Sequence, residues 1–463
     1  MTRDDRPVRS KRLLILLPGG QAHLLRLWPF VTSFREAPLT HTTLAALVPP
    51  ELGLEVVVVD GSVSPIPLAG RFDLVAISLI TGNAVRGYAQ ADHFRAGGAT
   101  VVLGGVHVML RPDEARAHAD ALVIGFAEET WPQLLRDWCA GRMRPEYRAE
   151  RTPPLAGQPR PRRDLQKRFG YMMPNTTFAT RGCGKVCDFC AVSAVPFGWH
   201  TRPVAEVVDE VRALPGRRFA FNDVNLTCDR EYALELFAAL KPLGKEWGGL
   251  ATTTIARDAE LLDAMVASGC RYLLLGFETV NNRALYSMHK GFNSPESYWN
   301  VCEQLHRRGI TIQGCFIFGL DVDGPDVFRE TVEAVDALRI DIPRYALYTP
   351  FPGTPAYERL RAEGRLLHEN WQYYDTQHTV IRPLGMSPEE LDRGFIRAWR
   401  ETFSMRSILH RTGGRRRGLP ISFVGNLAYR RYIGRLERDR DRFPAGCAAG
   451  LRTPAPAPTA PGR

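Results

Sequence analysis

The chain has 463 residues, 44% of them hydrophobic and 24% charged, with a formal net charge of +10 at neutral pH. That length exceeds one ordinary core and the composition is globular, so a single small domain and a disordered chain are both excluded. No apolar run reaches the roughly 18–20 residues of a transmembrane helix, and no export signal is recognisable. The nine cysteines, an odd number, argue for reduced thiols in the cytoplasm over a disulfide framework.

Residues 1–150 alternate short apolar runs with helical patterns. Strands rich in Val, Ile and Leu are predicted at 12–18, 54–61, 73–79, 100–105 and 121–125, with helices at 87–96 and 129–139. This alternation predicts an α/β, doubly wound, Rossmann-like domain. Turns follow the strands at "DGS" (60–62), "LGGVH" (103–107) and "GFAEE" (125–129), where such folds place ligands. None carries a GxGxxG dinucleotide fingerprint. Residues 151–169, rich in Pro and Arg, read as an extended, polar linker.

A second series occupies residues 170–385. After "NTTFATRGC", strands are predicted at 218–226, 249–254, 272–279, 311–321 and 344–353, each followed by a helical pattern. Six strand–helix units in series predict an open, partial (β/α)6 TIM-like barrel. Residues 386–445 then read as a helical C-terminal region, and 446–463, rich in Pro and Ala, as a disordered tail. The positive charge is concentrated in the stretch from Arg415 to Arg442. That stretch reads either as a solvated basic face or as a peripheral contact with an anionic membrane.

Cys183, Cys187 and Cys190 form C-x3-C-x2-C directly after the first strand of the second series, in a loop containing Gly182 and Gly184. Structural zinc normally takes a fourth protein ligand, and His200 is the one close candidate. A four-iron four-sulfur cluster held by three thiolates instead leaves one iron open to a small-molecule chelate. Three cysteines are therefore what a reactive cluster requires. The other cysteines, Cys228 among them, read as small buried hydrophobes or incidental residues.

The motif C-x3-C-x-Phe-C, followed in order by "FNDVNLT", "GCRYLLLGFET", "GCFIFGLD" and "TPFPGTP", resembles the radical S-adenosylmethionine superfamily over about residues 170–385. The doubly wound half before it is similar to the cobalamin-binding domain of that superfamily's cobalamin-dependent branch. The resemblance implies a [4Fe-4S] cluster whose free iron chelates S-adenosylmethionine, reductive cleavage to a 5'-deoxyadenosyl radical, and hydrogen abstraction from an unactivated carbon. It makes Cys183, Cys187 and Cys190 the metal ligands and catalytic residues, and puts Phe189 beside the adenine. Asp223 and Asn225 are expected near the methionyl amino group, with Thr252 and Glu278 near the methionyl or ribose groups. "DVN" departs from the acidic pair more usual in this branch, and for Glu278 a plain salt bridge remains the alternative.

For cobalamin the resemblance implies contacts from Ser78, Gly104, Gly105, His107 and Gly125. The D-x-H-x-x-G motif that supplies an axial histidine is absent, since Asp92 and His93 are adjacent. For His107, a loop histidine satisfied by the backbone is the alternative. The leading function is a cobalamin-dependent methyltransferase acting on an unactivated carbon of a small molecule or lipid, with a low-potential electron donor such as flavodoxin or ferredoxin. A radical cyclase or oxidative rearrangement enzyme is the second reading, and a non-catalytic cobalamin- or cluster-binding regulator the third. Nucleic acid is not an expected partner, because residues 1–138 contain no cysteine for the further cluster of tRNA methylthiolating enzymes and the C-terminus shows no strand series.

Overall fold

The computed structural model describes residues 10–20, 23–27, 30–195, 198–413 and 419–438. The expected tail at 446–463 and parts of the basic stretch 415–442 lie outside them. The N-terminal half is built on β1 (Arg12–Leu17), whose residues Leu13 to Leu16 are fully buried. A parallel strand covered on both faces needs a continuous apolar run, and this one has it. After β2 (Leu24–Leu27) and β3 (Phe30–Glu36) come β4 (Glu55–Asp60), β5 (Leu74–Ser78), β6 (Thr100–Gly104), β7 (Ala121–Ile124) and β8 (Glu146–Arg148). Leaving out β2 and β3, these form one parallel sheet in the order β4-β1-β5-β6-β7-β8.

Alternate residues of β1 serve opposite faces. Leu13 and Ile15 pack with Ala45, Trp131, Leu134 and Leu135 of the helices Thr40–Ala46 and Ala127–Cys139. Leu14 and Leu16 pack with Tyr88, Ala91 and Phe94 of the helix Ala84–Ala96. Full burial of such side chains contributes about 1.5–3 kcal/mol each before entropy is subtracted. The strand order reverses beside β1, so the carboxyl ends of the central strands open into a crevice.

The second half contains β9 (Tyr171–Met173), β10 (Thr176–Thr177), β11 (Thr180–Arg181), β12 (His200–Thr201), β13 (Arg218–Phe221), β14 (Glu246–Ala251), β15 (Cys270–Glu278), β16 (Thr311–Phe318) and β17 (Ile342–Leu347). Six of them form a parallel sheet, β10-β13-β14-β15-β16-β17, the open barrel expected from the sequence. Helices cover its outer face through Val207, Leu236, Leu262, Leu305 and Val335. The C-terminal helices Pro388–Thr402, Met405–Thr412 and Leu419–Arg438 follow. Buried Arg411 ties them to the barrel, donating to the carbonyls of Ile340 (2.7 Å) and Thr402 (2.9 Å) and to Asn426 Oδ1 (2.9 Å).

One segment departs from the sequence reading. The β2–β3 hairpin, to which no element was assigned, joins β9 in a separate three-stranded sheet beside the barrel rather than the N-terminal sheet. Thr176 Oγ1 and Asn222 Nδ2 donate to the Ala37 carbonyl (2.9 and 3.0 Å), while Arg344 Nε donates to His23 Nε2 (3.1 Å). The hairpin thus touches both β10 and β17, the two free edges of the barrel sheet, and spans its open side. Residues 151–169, expected to be extended and polar, are irregular and mostly exposed, with a few anchoring contacts. Leu155 is buried with Leu39 and Phe178, and Arg163 is ion-paired with Glu210.

Candidate functional site

The cysteine loop is fixed at its root by Asp223, at the end of β13. Its carboxylate accepts from the Ala179 N–H (3.0 Å), the Thr180 N–H and the Thr180 hydroxyl (2.7 Å). Burial pushes the Asp223 carboxyl up to about 6, against the opposing effect of those three donors. Both oxygens are therefore committed to the loop rather than directed freely at a ligand. At Gly182 the chain turns with φ +83°, and a Cβ would lie 1.8 Å from the Gly198 carbonyl oxygen, so only glycine fits.

Asp223 makes a signed pH prediction. Its carboxyl is held above the ordinary value of about 3.9, so folding takes up a proton between about pH 4 and pH 6. The stabilisation is fully present below that window and is lost as pH rises through 6. Urea unfolding of the protein is expected to show stability decreasing from pH 5 to pH 7.5, and Asp223→Asn, which cannot titrate, is expected to flatten that slope. An identical slope in the variant would remove Asp223 as the cause.

Cys187 is buried and Cys183 and Cys190 are partly exposed. Burial pushes the Cys187 thiol up to about 11, the Lys290 ammonium opposes the shift, and Cys190, Glu278 and Cys183 add to it. These groups therefore share one electrostatic environment. Among the described residues no three His, Cys, Asp or Glu side chains converge tightly enough to hold a single metal ion. Three thiolates on one short loop are the donor set of a larger iron–sulfur core with one iron left open.

Glu278 ends β15 with φ +66°, a left-handed backbone unusual for a non-glycine residue, at an irregularity in the β15–β16 register. The turn sets its buried carboxylate against the Lys290 ammonium. Burial alone would lower the Lys290 pKa, and the Glu278 carboxylate outweighs it, so Lys290 is held charged above its ordinary value. Asn225 is buried with Oδ1 lacking any partner, an acceptor in need of a donor. Thr252 shares a 2.5 Å hydrogen bond with Thr254 at the end of β14. Phe189 packs against the apolar cluster that contains Tyr348 and Tyr357.

A cavity of about 620 Å3 separates the two halves of the site. Ser78, Gly104, Gly105, Gly125 and Glu128 line it from the N-terminal sheet, and Thr180, Arg181 and Gly182 from the cysteine loop. It continues along the sheet face past Thr43, Leu47, Val102, Val123 and Trp131, between two helices. Gly105, at φ +96°, would place a Cβ 2.6 Å from the Leu79 carbonyl oxygen. Glycine is required there by the close approach of the Leu79 backbone. Glu128 pairs with Arg181 across the cavity through one oxygen, and its buried Oε2 has no partner. Bare backbone, an apolar slot and the orphaned acceptor on Glu128 suit a large cofactor between the sheet and the loop.

His107 is not among the residues that line this cavity. It is wholly buried, with Nδ1 3.2 Å from Thr81 Oγ1 and Nε2 3.7 Å from Glu114, and its ring lies between Tyr88 and Trp371. Two residues of the site escaped the sequence reading. Lys290 lies outside every motif. Cys228 sits against the cysteine loop, where a Cβ on Gly184 would come within 2.4 Å of its Sγ, and the signal for it was its place directly after "FNDVNLT".

Comparison with known proteins agrees with this geometry. Residues 177–335 match the family model of the Radical SAM superfamily. The chain is 33% identical over 367 residues to bacteriochlorophyllide d C-12(1)-methyltransferase of Chlorobaculum tepidum, covering 76% of this chain and 78% of the relative. It is 29% identical over 420 residues to bacteriochlorophyllide d C-8(2)-methyltransferase of the same organism, covering 86% and 93%. The fold is similar to that of TsrM, a radical S-adenosylmethionine methyltransferase from Kitasatospora setae, with TM-score 0.62 and 18% identity over 92% of this chain and 89% of that one. With the cysteine loop and the partial barrel in place, the chain belongs to the radical S-adenosylmethionine superfamily.

Proposed function

We propose that the protein is a cobalamin-dependent radical S-adenosylmethionine methyltransferase acting on an unactivated carbon of a large, mostly apolar ring compound. The observation that supports this reading is the cavity bounded by both the Gly104–Gly105 turn and the cysteine loop, across which the two cofactors would face each other. When bound, the cluster with S-adenosylmethionine supplies a carbon-centred radical, and cobalamin supplies the methyl group.

The chain's own residues position and insulate that chemistry. Cys183, Cys187 and Cys190 would hold the cluster, and the Asp223 carboxylate fixes the backbone that carries them. The Asn225 acceptor and the Glu278–Lys290 pair would orient the ammonium and carboxylate of the methionyl part. Backbone at Gly104, Gly105 and Gly125, together with Ser78, would seat the corrin edge. The Arg181–Glu128 pair ties the two cofactor sites together. Among the described residues no helix is long and apolar enough to cross a membrane.

The relatives named for methylating bacteriochlorophyllide d support a tetrapyrrole-sized substrate for this chain. The electron would come from a low-potential donor such as flavodoxin or ferredoxin. The test is anaerobic reconstitution with iron, sulfide and cobalamin, followed by S-adenosylmethionine, reductant and chlorophyllide. The expected products are 5'-deoxyadenosine, S-adenosylhomocysteine and a chlorophyllide heavier by one CH2. Ring closure without the added carbon would favour the cyclase reading, and an intact cluster with no 5'-deoxyadenosine would favour a regulator.

A further inference from the structure

The amino ends of the barrel strands, on the side away from the cysteine loop, hold a cavity of about 930 Å3. Phe34, Trp247, Tyr272, Ile342 and Tyr429 give it apolar walls. Met172 of β9 and Val424 of the C-terminal helix Leu419–Arg438 also line it, and they are 47% and 63% exposed, so the cavity opens to solvent between them. The apolar surface continues outward from both. Leu427, one turn after Val424 on the same helix face, is 39% exposed, and Phe169, three residues before Met172, is 80% exposed. Large apolar side chains left in water around the mouth of an apolar cavity mark a surface that meets something else.

Cations surround that mouth. Arg217, Arg218 and Arg271 line the cavity and are exposed. Arg218 is ion-paired with Glu246 (3.1 Å). Arg271 donates to the carbonyls of Val266 (3.2 Å) and Cys270 (2.7 Å), which leave its charge in place. Among the described residues no carboxylate lies within 4 Å of Arg217 or Arg271. Glu36, the other carboxylate on the cavity wall, sits where the cavity adjoins the smaller one beside the cysteine loop. Farther out, Lys167 and Arg168 precede Phe169, and Arg431 follows Leu427 by one turn, all three exposed. Positive and apolar side chains therefore alternate across this face.

We propose that this face docks on an anionic bilayer, with Met172, Val424 and Leu427 at the boundary between headgroups and acyl chains and the arginines on lipid phosphates. The alternation is what selects a bilayer. Arginine and lysine lay their stems along apolar neighbours while the charged heads reach a phosphate plane above, and the apolar groups between them enter the acyl layer. Acyl chains are also flexible enough to pack into an irregular open cavity, whereas a rigid protein surface would only cover its mouth. The basic stretch from Arg415 to Arg442 then serves a membrane contact through the part of it that lies in this helix. The cysteine loop, at the opposite ends of the strands, stays clear of the lipid. The inference goes beyond the methyltransferase reading and does not depend on it.

The test is co-sedimentation of the reconstituted holoenzyme with vesicles of phosphatidylglycerol and phosphatidylcholine in equal parts, or of phosphatidylcholine alone. The anionic vesicles are expected to bind at least about 10-fold more tightly than the neutral ones, and raising the salt from about 0.1 M to about 0.5 M is expected to weaken them at least about 5-fold. The double variants Arg217→Glu with Arg271→Glu, and Val424→Asp with Leu427→Asp, are each expected to lose at least about 10-fold in affinity for the anionic vesicles. All four positions are exposed, so the variants fold, and unchanged cobalamin content checks each protein. Depth is read from Val424→Trp, whose added fluorescence should be quenched by phosphatidylglycerol brominated on its acyl chains. Equal binding to both vesicles, no binding, unaltered affinity in either double variant, or no quenching at position 424 overturns the proposal. A vesicle-free dimer that Val424→Asp with Leu427→Asp dissociates would give the face to a second copy of this chain and overturn it as well.

Discussion

Alanine at any one of Cys183, Cys187 or Cys190 is expected to strip the reconstituted protein of its iron and sulfide and to lower 5'-deoxyadenosine formation by at least about 1,000-fold, a barrier change of about 4 kcal/mol. The effect is this large because the loop has no reserve: a cluster that keeps one iron open already relies on the minimum number of thiolates. The polypeptide itself should still fold. The loop root is held by Asp223 and Thr180, which these substitutions leave alone. Cys228→Ala is the control, because its thiol adjoins the loop without belonging to the C-x3-C-x2-C spacing. Iron retained in Cys228→Ala and lost in the other three confirms the three-thiolate site. Equal loss in all four would make it a four-thiolate centre with no open iron, and the radical mechanism would fail with it.

Replacing Lys290 with methionine is expected to destabilise the fold by about 3–5 kcal/mol, the cost of leaving a buried carboxylate without its partner. The pair is nearly sealed, with the Lys290 and Glu278 side chains 11% and 10% exposed, so water cannot replace the lost ammonium. Replacing both, as Glu278→Leu with Lys290→Met, should recover most of that stability, since an apolar pair of similar volume needs no counter-charge. Urea denaturation measures both variants. The double variant should nevertheless stay inactive, because the groups facing Cys187 have been removed. A Lys290→Met protein as stable as wild type would mean that the pair is not buried in solution.

Much of the architecture was legible in the residues themselves. The run Leu13–Leu16 announces a strand covered on both faces, and the repeated alternation of apolar strands with helical patterns dictates two parallel sheets. Parallel strands cannot be joined without a crossover, so local pattern alone carries the layer order. Three cysteines within eight residues are likewise a local signal, and the cluster chemistry follows from their number. These features need only short-range information along the chain.

The tertiary structure decided everything that depends on approach between distant segments. Only folding brings His23, just before the hairpin, to Arg344 of β17, sets Lys290 against Glu278, and turns His107 into a packed interface residue instead of a cavity wall. The hairpin's place across the open barrel was invisible because its strands are short and pair with residues far along the chain, where no periodicity survives to reveal the partner. Sequence thus determined which chemistry the protein carries, through residue types at close spacing. Structure alone determined which charges face that chemistry, because electrostatic energy depends on distance in space and not on separation along the chain.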